Sequence, residues 1–198
     1  MSDKHPAKDA VGDPSELLAE IERLRCQLAQ YERRFVELDR LANRDPLVDL
    51  PNRRSCLASL ARLIARVDAY GIQAAMILAD VDGLKAINDK FGHNAGDTAI
   101  KQISRLLVAS VRKHDCVARL AGDEFAILLE HTDELQAWLL ALRIVETVDE
   151  HPFHIGKANV PLSVAVGVTL ICPRDHPEAV IERADREMYR IKAIRPRK

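Results

Sequence analysis

Between Leu17 and Ala42, apolar side chains return at alternating steps of four and three: Leu17, Ile21, Leu24, Leu28, Tyr31, Phe35, Leu38 and Ala42, with Glu, Arg and Gln on the flanks. A period of 3.5 residues holds one narrow stripe on a helix, the seam of a coiled coil, whereas a helix lying on its own core carries a wider stripe. The spacing predicts a stalk helix over residues 13–43 that pairs in parallel with a second copy. Its start is marked by "DPSE": Asp13 caps, Pro14 takes the first helical position and Glu16 reaches back to the cap. Residues 1–12, polar and small with Pro and Gly, read as disordered. "ANRDPLVDLPNRRS" then breaks the period with two prolines and separates the stalk from a domain over residues 44–198.

Within that domain, Leu57, Leu60, Ile64 and Val67 recur at helical spacing. "QAAMILAD" is short and continuously apolar, so it predicts a central strand buried on both faces and ending at Asp80. The Gly-rich polar stretch that follows reads as a loop leading into a helix with Ile100, Ile103, Leu107 and Val111 on one face. "CVARL" and "FAILL" predict two strands around an AGDE turn. "DELQAWLLALRIVETVDE" predicts a helix, "VPLSVAVGVTLI" a strand, and a last helix begins near Pro177. The order β-α-β-β-α-β predicts an α+β, ferredoxin-like core: an antiparallel sheet flanked by helices and preceded by the coiled-coil helix.

Composition narrows the function. A chain of 198 residues, 47% hydrophobic, suits one domain plus an extension. With 29 Lys and Arg against 30 Asp and Glu, the net charge of -1 argues against DNA, RNA or an anionic membrane as partner. No apolar run approaches the roughly 20 residues of a membrane span, and the opening residues lack the apolar core of a secretory signal, so a cytoplasmic location is expected. Cys26, Cys56, Cys116 and Cys172 are scattered singly, without zinc-site spacing, and read as reduced thiols.

The candidate chemistry is acidic. The end of the "MILAD" strand and the AGDE turn are sheet neighbours in this topology, which predicts that Asp80 and Asp123 face each other. Two close carboxylates in a partly dry site repel, and a divalent cation relieves them. Mg²⁺ takes one or two carboxylates and completes its shell with water and phosphates, which suits a nucleoside triphosphate. Backbone N–H groups at a helix start favour the phosphates. Asn88 and Asp97 offer the donor and acceptor pair that a guanine edge requires. Taken singly, a Gly-Asp turn is ordinary hairpin chemistry, and Asp97 is an ordinary first-turn acid with Asn94 as the cap.

"RDPLVDLPNRR", "DVDGLKAINDKFGHNAGD", "VRKHDCVARLAGDEF" and "ADREMYRIK", in that order, resemble the GGDEF family of diguanylate cyclases, which join two GTP molecules into cyclic di-GMP and release pyrophosphate. The resemblance implies that Asp80 and Asp123, with the Val81 carbonyl, ligate Mg²⁺, for which Mn²⁺ can substitute. It implies that Glu124 serves the metal or receives the proton of the attacking 3′-hydroxyl. Gly83, Leu84, Lys85 and Lys192 would hold the phosphates, and Asn88 and Asp97 would read guanine. A homodimer is implied, because each domain carries one GTP. Arg112 and Asp115 match the R-x-x-D motif of product inhibition, with Arg143 as a further contact for cyclic di-GMP.

The match departs at three places. Ala121 stands where the family turn has its first glycine, and a positive φ there would cost about 1 kcal/mol and weaken binding. "LVDL" replaces the typical "LTGL" at Leu47 to Leu50, and Arg195-Pro196 displaces the Gly-Arg pair after the helix lysine. These departures motivate an alternative expectation, a catalytically silent receptor for cyclic di-GMP or GTP.

Overall fold

The computed structural model describes residues 14–155 and 158–194. Asp13 and the expected disorder over residues 1–12 lie outside the described residues, as do Arg195, Pro196 and Arg197. The chain divides into two units, Met1–Ala42 and Asn43–Lys198. In the first, α1 (Pro14–Asn43) is one unbroken helix. Glu20 with Arg23 and Glu37 with Arg40 pair one turn apart on its polar side. Its seam residues stand exposed, Phe35 to 72%.

The second unit begins with α2 (Arg53–Tyr70), capped by Asn52, whose side chain accepts the Ser55 N–H at 3.0 Å. It continues through β1 (Ala74–Val81), α3 (Leu84–Phe91), α4 (His93–Ser110), β2 (Cys116–Ala121) and β3 (Glu124–Glu130). The remaining elements are α5 (Glu134–Glu150), β4 (Phe153–Ile155), β5 (Ala158–Val160), β6 (Val164–Leu170) and α6 (Pro177–Ile194). The main sheet has the order β2-β3-β1-β6, and every neighbour is antiparallel. This is the expected ferredoxin-like arrangement with helices on both faces.

The alternation of a strand explains why β1 is apolar at nearly every position. Ala75, Ile77, Ala79 and Val81 join Ile100, Ile103 and Leu107 of α4 and Ile144 of α5 in one core. Ala74, Met76 and Leu78 join Leu60, Ile64 and Val67 of α2 and Val180, Ala184 and Met188 of α6 in the other. Each fully buried large side chain contributes about 1.5–3 kcal/mol. β1 is thereby fixed from both sides, which makes its end a rigid place for chemistry.

The local expectations for the segment after β1 are corrected, and a short hairpin adds to them. Residues 84–91 form α3 and not a loop. The next helix begins at His93 with Gly92 at the cap position, so Asn94 lies inside it, and Val111 stands just past its end. β4 and β5 form a separate small hairpin. Both missed features are short, and α3 has a glycine at each end, so neither carries enough periodic positions to register as a pattern.

Candidate active site

The register of the central strands sets the site. β1 and β3 pair Asp80 opposite Glu124, so two acids stand side by side on the sheet face covered by α2 and α6. The residue facing Asp80 is therefore Glu124. Asp123 lies one position further out, in the turn, and its carbonyl accepts the Val81 N–H at 3.1 Å. Burial, opposed by the Lys192 ammonium and reinforced by the charges of Asp123 and Asp82, pushes the Asp80 carboxyl up. Burial, followed by the charges of Asp80, Asp123 and Asp185, likewise raises Glu124.

Lys192, in the last turn of α6, donates to Asp80 Oδ1 at 2.5 Å and stands 4.0 Å from Asp82. Asp82 is tied across the sheet end: its N–H reaches the Ser163 carbonyl at 2.9 Å, and its Oδ2 accepts the Ser163 hydroxyl at 3.0 Å. Neither the Asp80–Lys192 contact nor the Asp82–Ser163 contact follows from local spacing, because the partners lie 112 and 81 residues apart.

The turn is braced from the junction before α2. The Arg119 guanidinium donates to the Gly122 carbonyl at 2.7 and 3.0 Å and to both Asp45 oxygens at 3.0 and 3.2 Å. The two side chains are only 13% and 18% exposed. Asp45 also accepts the N–H groups of Leu47 and Val48. Leu47, Val48 and Leu50 pack on the α4 and α5 core, so the "LVDL" junction remains anchored to the domain. Ala121 is an exposed strand residue, and the positive φ, +38°, belongs to Gly122. The conformational penalty expected at Ala121 therefore does not arise.

Beyond β1, Gly83 at φ +72° opens α3, which places Leu84 and Lys85 in its first turn. Lys85 is exposed, and so is Asp97 on α4, while Asn88 on α3 is half-buried with its carboxamide against Gly96. Among the described residues, neither the Asn88 carboxamide nor the Asp97 carboxylate has a protein partner, so both retain their hydrogen-bonding capacity for a ligand.

On another part of the domain, Arg112, Asp115 and Arg143 line one cleft of about 240 Å³ with Leu139 and Gln136. Asp115 Oδ2 accepts the backbone N–H of Arg112 at 2.9 Å, and the Arg112 guanidinium makes no ion pair with it among the described residues. The Asp115 side chain is 3% exposed, and its Oδ1 is buried without a hydrogen-bond partner. An acceptor left in that condition costs about 1–3 kcal/mol until a donor arrives. Arg143 is held at the rim by the Ser110 carbonyl at 2.8 Å.

Among the described residues, no three acidic, His or Cys side chains form a ready-made cage for a metal. The donor set nevertheless fits a hard cation of low protein ligand count: the Asp80 and Asp123 carboxylates, a backbone carbonyl at Val81, and space to be completed by water and phosphate oxygens.

Residues 42–197 match the family model described as diguanylate cyclase, GGDEF domain, and the chain belongs to that family. Diguanylate cyclase DgcP of Pseudomonas aeruginosa is 36% identical over 148 residues, covering 75% of this chain and 22% of that protein. Response regulator PleD of Caulobacter vibrioides is 33% identical over 187 residues, covering 91% of this chain and 41% of that protein. The chain thus spans less than half the length of these relatives. The coiled coil and GGDEF domain of DgcB from Caulobacter crescentus, solved in complex with c-di-GMP, shares the fold with a TM-score of 0.83 at 23% identity, over 89% of this chain and 94% of that one. Among the described residues, no helix is long and apolar enough to cross a membrane.

Proposed function

We propose that the chain is a diguanylate cyclase that condenses two GTP molecules into cyclic di-GMP at the interface of two copies and is inhibited by its product. The observation that carries this reading is the register of β1 and β3, which brings Asp80, Glu124 and the Asp123 turn to one sheet end beneath Lys192. Asp80, Asp123 and the Val81 carbonyl would hold Mg²⁺, or Mn²⁺ in its place. Bound there, the metal supplies Lewis-acid stabilisation of charge on the phosphates. Lys192 must release Asp80 for that carboxylate to serve a cation, and the freed ammonium then pairs with phosphate alongside Lys85 and the N–H groups of Gly83 and Leu84. Asn88 and Asp97 read the guanine edge.

In each half-reaction the 3′-oxygen of one nucleotide forms a bond to the α-phosphorus of the other. The α,β-phosphoanhydride bond breaks, pyrophosphate leaves with the electron pair, and the hydroxyl proton passes to Glu124 or solvent. Its raised affinity for a proton suits Glu124 to that task. Repetition closes the ring. Alignment of two half-sites is the main contribution of the dimer.

The test is turnover of GTP by the full chain after bound cyclic di-GMP has been stripped, at several protein concentrations, beside Asp123→Asn. Cyclic di-GMP should accumulate with Mg²⁺, stop with a chelator, and fall at least ~10²-fold in the variant. No product at high protein concentration overturns the reading. Arg112→Ala should turn over GTP while resisting added product.

Asp115 Oδ1, buried without a hydrogen-bond partner and 3.7 Å from His114 Nε2, favours a second reading, a silent receptor that binds cyclic di-GMP through Arg112 and Asp115. Tight binding by calorimetry without turnover is its signature.

A further inference from the structure

Gly96 is the fourth residue of α4, a position where glycine costs up to about 1 kcal/mol relative to alanine. Neither a turn nor a positive φ calls for it there. What it provides is room. A Cβ built on Gly96 would stand 1.9 Å from Asn88 Oδ1, 2.8 Å from its Cγ and 3.2 Å from its Nδ2. All three nearest atoms belong to one side chain. The missing methyl is the notch in which the Asn88 carboxamide lies, and the next residue along α4 is Asp97.

We infer that Gly96 is a positioning residue for base recognition: by leaving this notch, it seats the Asn88 carboxamide beside Asp97 so that the two read one guanine edge together. The inference rests on the proposed reading that Asn88 and Asp97 contact guanine. A carboxamide on a freely rotating side chain presents donor and acceptor in every orientation. Packed against the α4 backbone, it has one orientation to offer, and discrimination between bases depends on that restriction. Any β-carbon at residue 96 must turn the carboxamide out of the notch, while α4 itself loses nothing, because the displaced atoms are the far end of a flexible side chain. The effect should therefore appear in base selection and not in folding.

Calorimetric binding of GDP, IDP and ADP to the full chain tests this, since diphosphates lack the pyrophosphate leaving group and IDP lacks only the exocyclic amino group of guanine. Four proteins are compared: wild type, Gly96→Ala, Asn88→Ala and the double variant, each with its thermal melt. Gly96→Ala should bind GDP about tenfold more weakly, leave ADP binding unchanged and melt no lower than wild type. The double variant should bind all three nucleotides like Asn88→Ala alone, because without the carboxamide the three atoms nearest the new methyl are gone. If Asn88→Ala loses GDP affinity while Gly96→Ala keeps it, the notch is irrelevant and this inference falls, with guanine reading intact. If Asn88→Ala binds GDP like wild type, the guanine reading itself falls. Unfolding of Gly96→Ala in both backgrounds would show that the methyl collides with more than Asn88 and would also overturn the assignment.

Discussion

Ala121 is where the signature turn departs from two glycines, and its backbone shows why the departure is mild. The residue is an exposed member of β2 paired with Glu124, while the left-handed conformation falls on Gly122 at φ +38°. Ala121→Gly should therefore change turnover by no more than about twofold, whereas Gly122→Ala should lower stability by about 1 kcal/mol in a thermal or urea melt. A tenfold gain from Ala121→Gly would mean instead that the methyl obstructs the nucleotide. The junction departure is the costlier one: Asp49, standing where "LTGL" has its glycine, adopts φ +53°, a region that Asp tolerates better than most residues. At this scale the site was half legible. Asp80, Asp123 and Glu124 could be read because each sits where a buried strand or tight turn ends. Glu124 as the direct partner of Asp80 could not, since the register of β1 against β3 is set by how two strands distant in sequence pack, which no local pattern fixes. Lys192 on Asp80, Asp82 on Ser163, and the Gly96 notch all depend on contacts between separate elements, and no local pattern encodes those.

Elements were legible in proportion to their length and periodicity. β1 announces itself by an unbroken apolar run, and α5 by its length, while the structure adds an Asp133–Gln136 capping box in which each side chain bonds the other's backbone N–H. α3 was hidden by its brevity. α6 matters most among the elements because it delivers Lys192 to the sheet end, and its approach is fixed by a clamp near its start. Arg183 donates to both Asp175 oxygens, at 2.9 and 2.5 Å, and to the Leu170 carbonyl at 2.9 Å, which joins α6 to the preceding loop and to the end of β6. The Arg183 bond holds the Asp175 carboxyl below the usual carboxylate range, so the folded chain gives up that proton more readily than the unfolded chain. The stabilisation is therefore complete above the ordinary carboxylate pKa near pH 4 and is lost as pH falls through the lowered native value. Asp175→Asn should cost about 1–2 kcal/mol at pH 7, measured by urea unfolding, and the gap to wild type should close as pH falls through the lowered native value. A deficit that persists unchanged at low pH would assign the loss to packing and not to the ion pair.

For the molecule as a whole, the exposed seam of α1 and the chemistry of the domain pose one problem. On the proposed reading, a domain that holds one GTP cannot close a ring of two nucleotides, so each turnover would need a second copy, and at micromolar concentration independent domains meet rarely. Pairing through Leu17, Ile21, Leu24, Leu28, Tyr31, Phe35 and Leu38 would remove those side chains from water and hold two half-sites at an effective concentration in the millimolar range. The wild-type chain should accordingly sediment as a dimer at tens of micromolar, and its turnover per chain should be independent of dilution until the dimer dissociates. Phe35→Glu places a charge in the seam. It should sediment as a monomer, retain the melting transition of the sheet domain and bind GDP like wild type. At 1 µM its turnover per chain should fall about 10²-fold and then climb in proportion to protein concentration, because encounter has become the slow step. A monomeric Phe35→Glu chain with undiminished turnover at 1 µM would show that the reaction does not wait for two copies to be held together, and the stalk would then need another purpose.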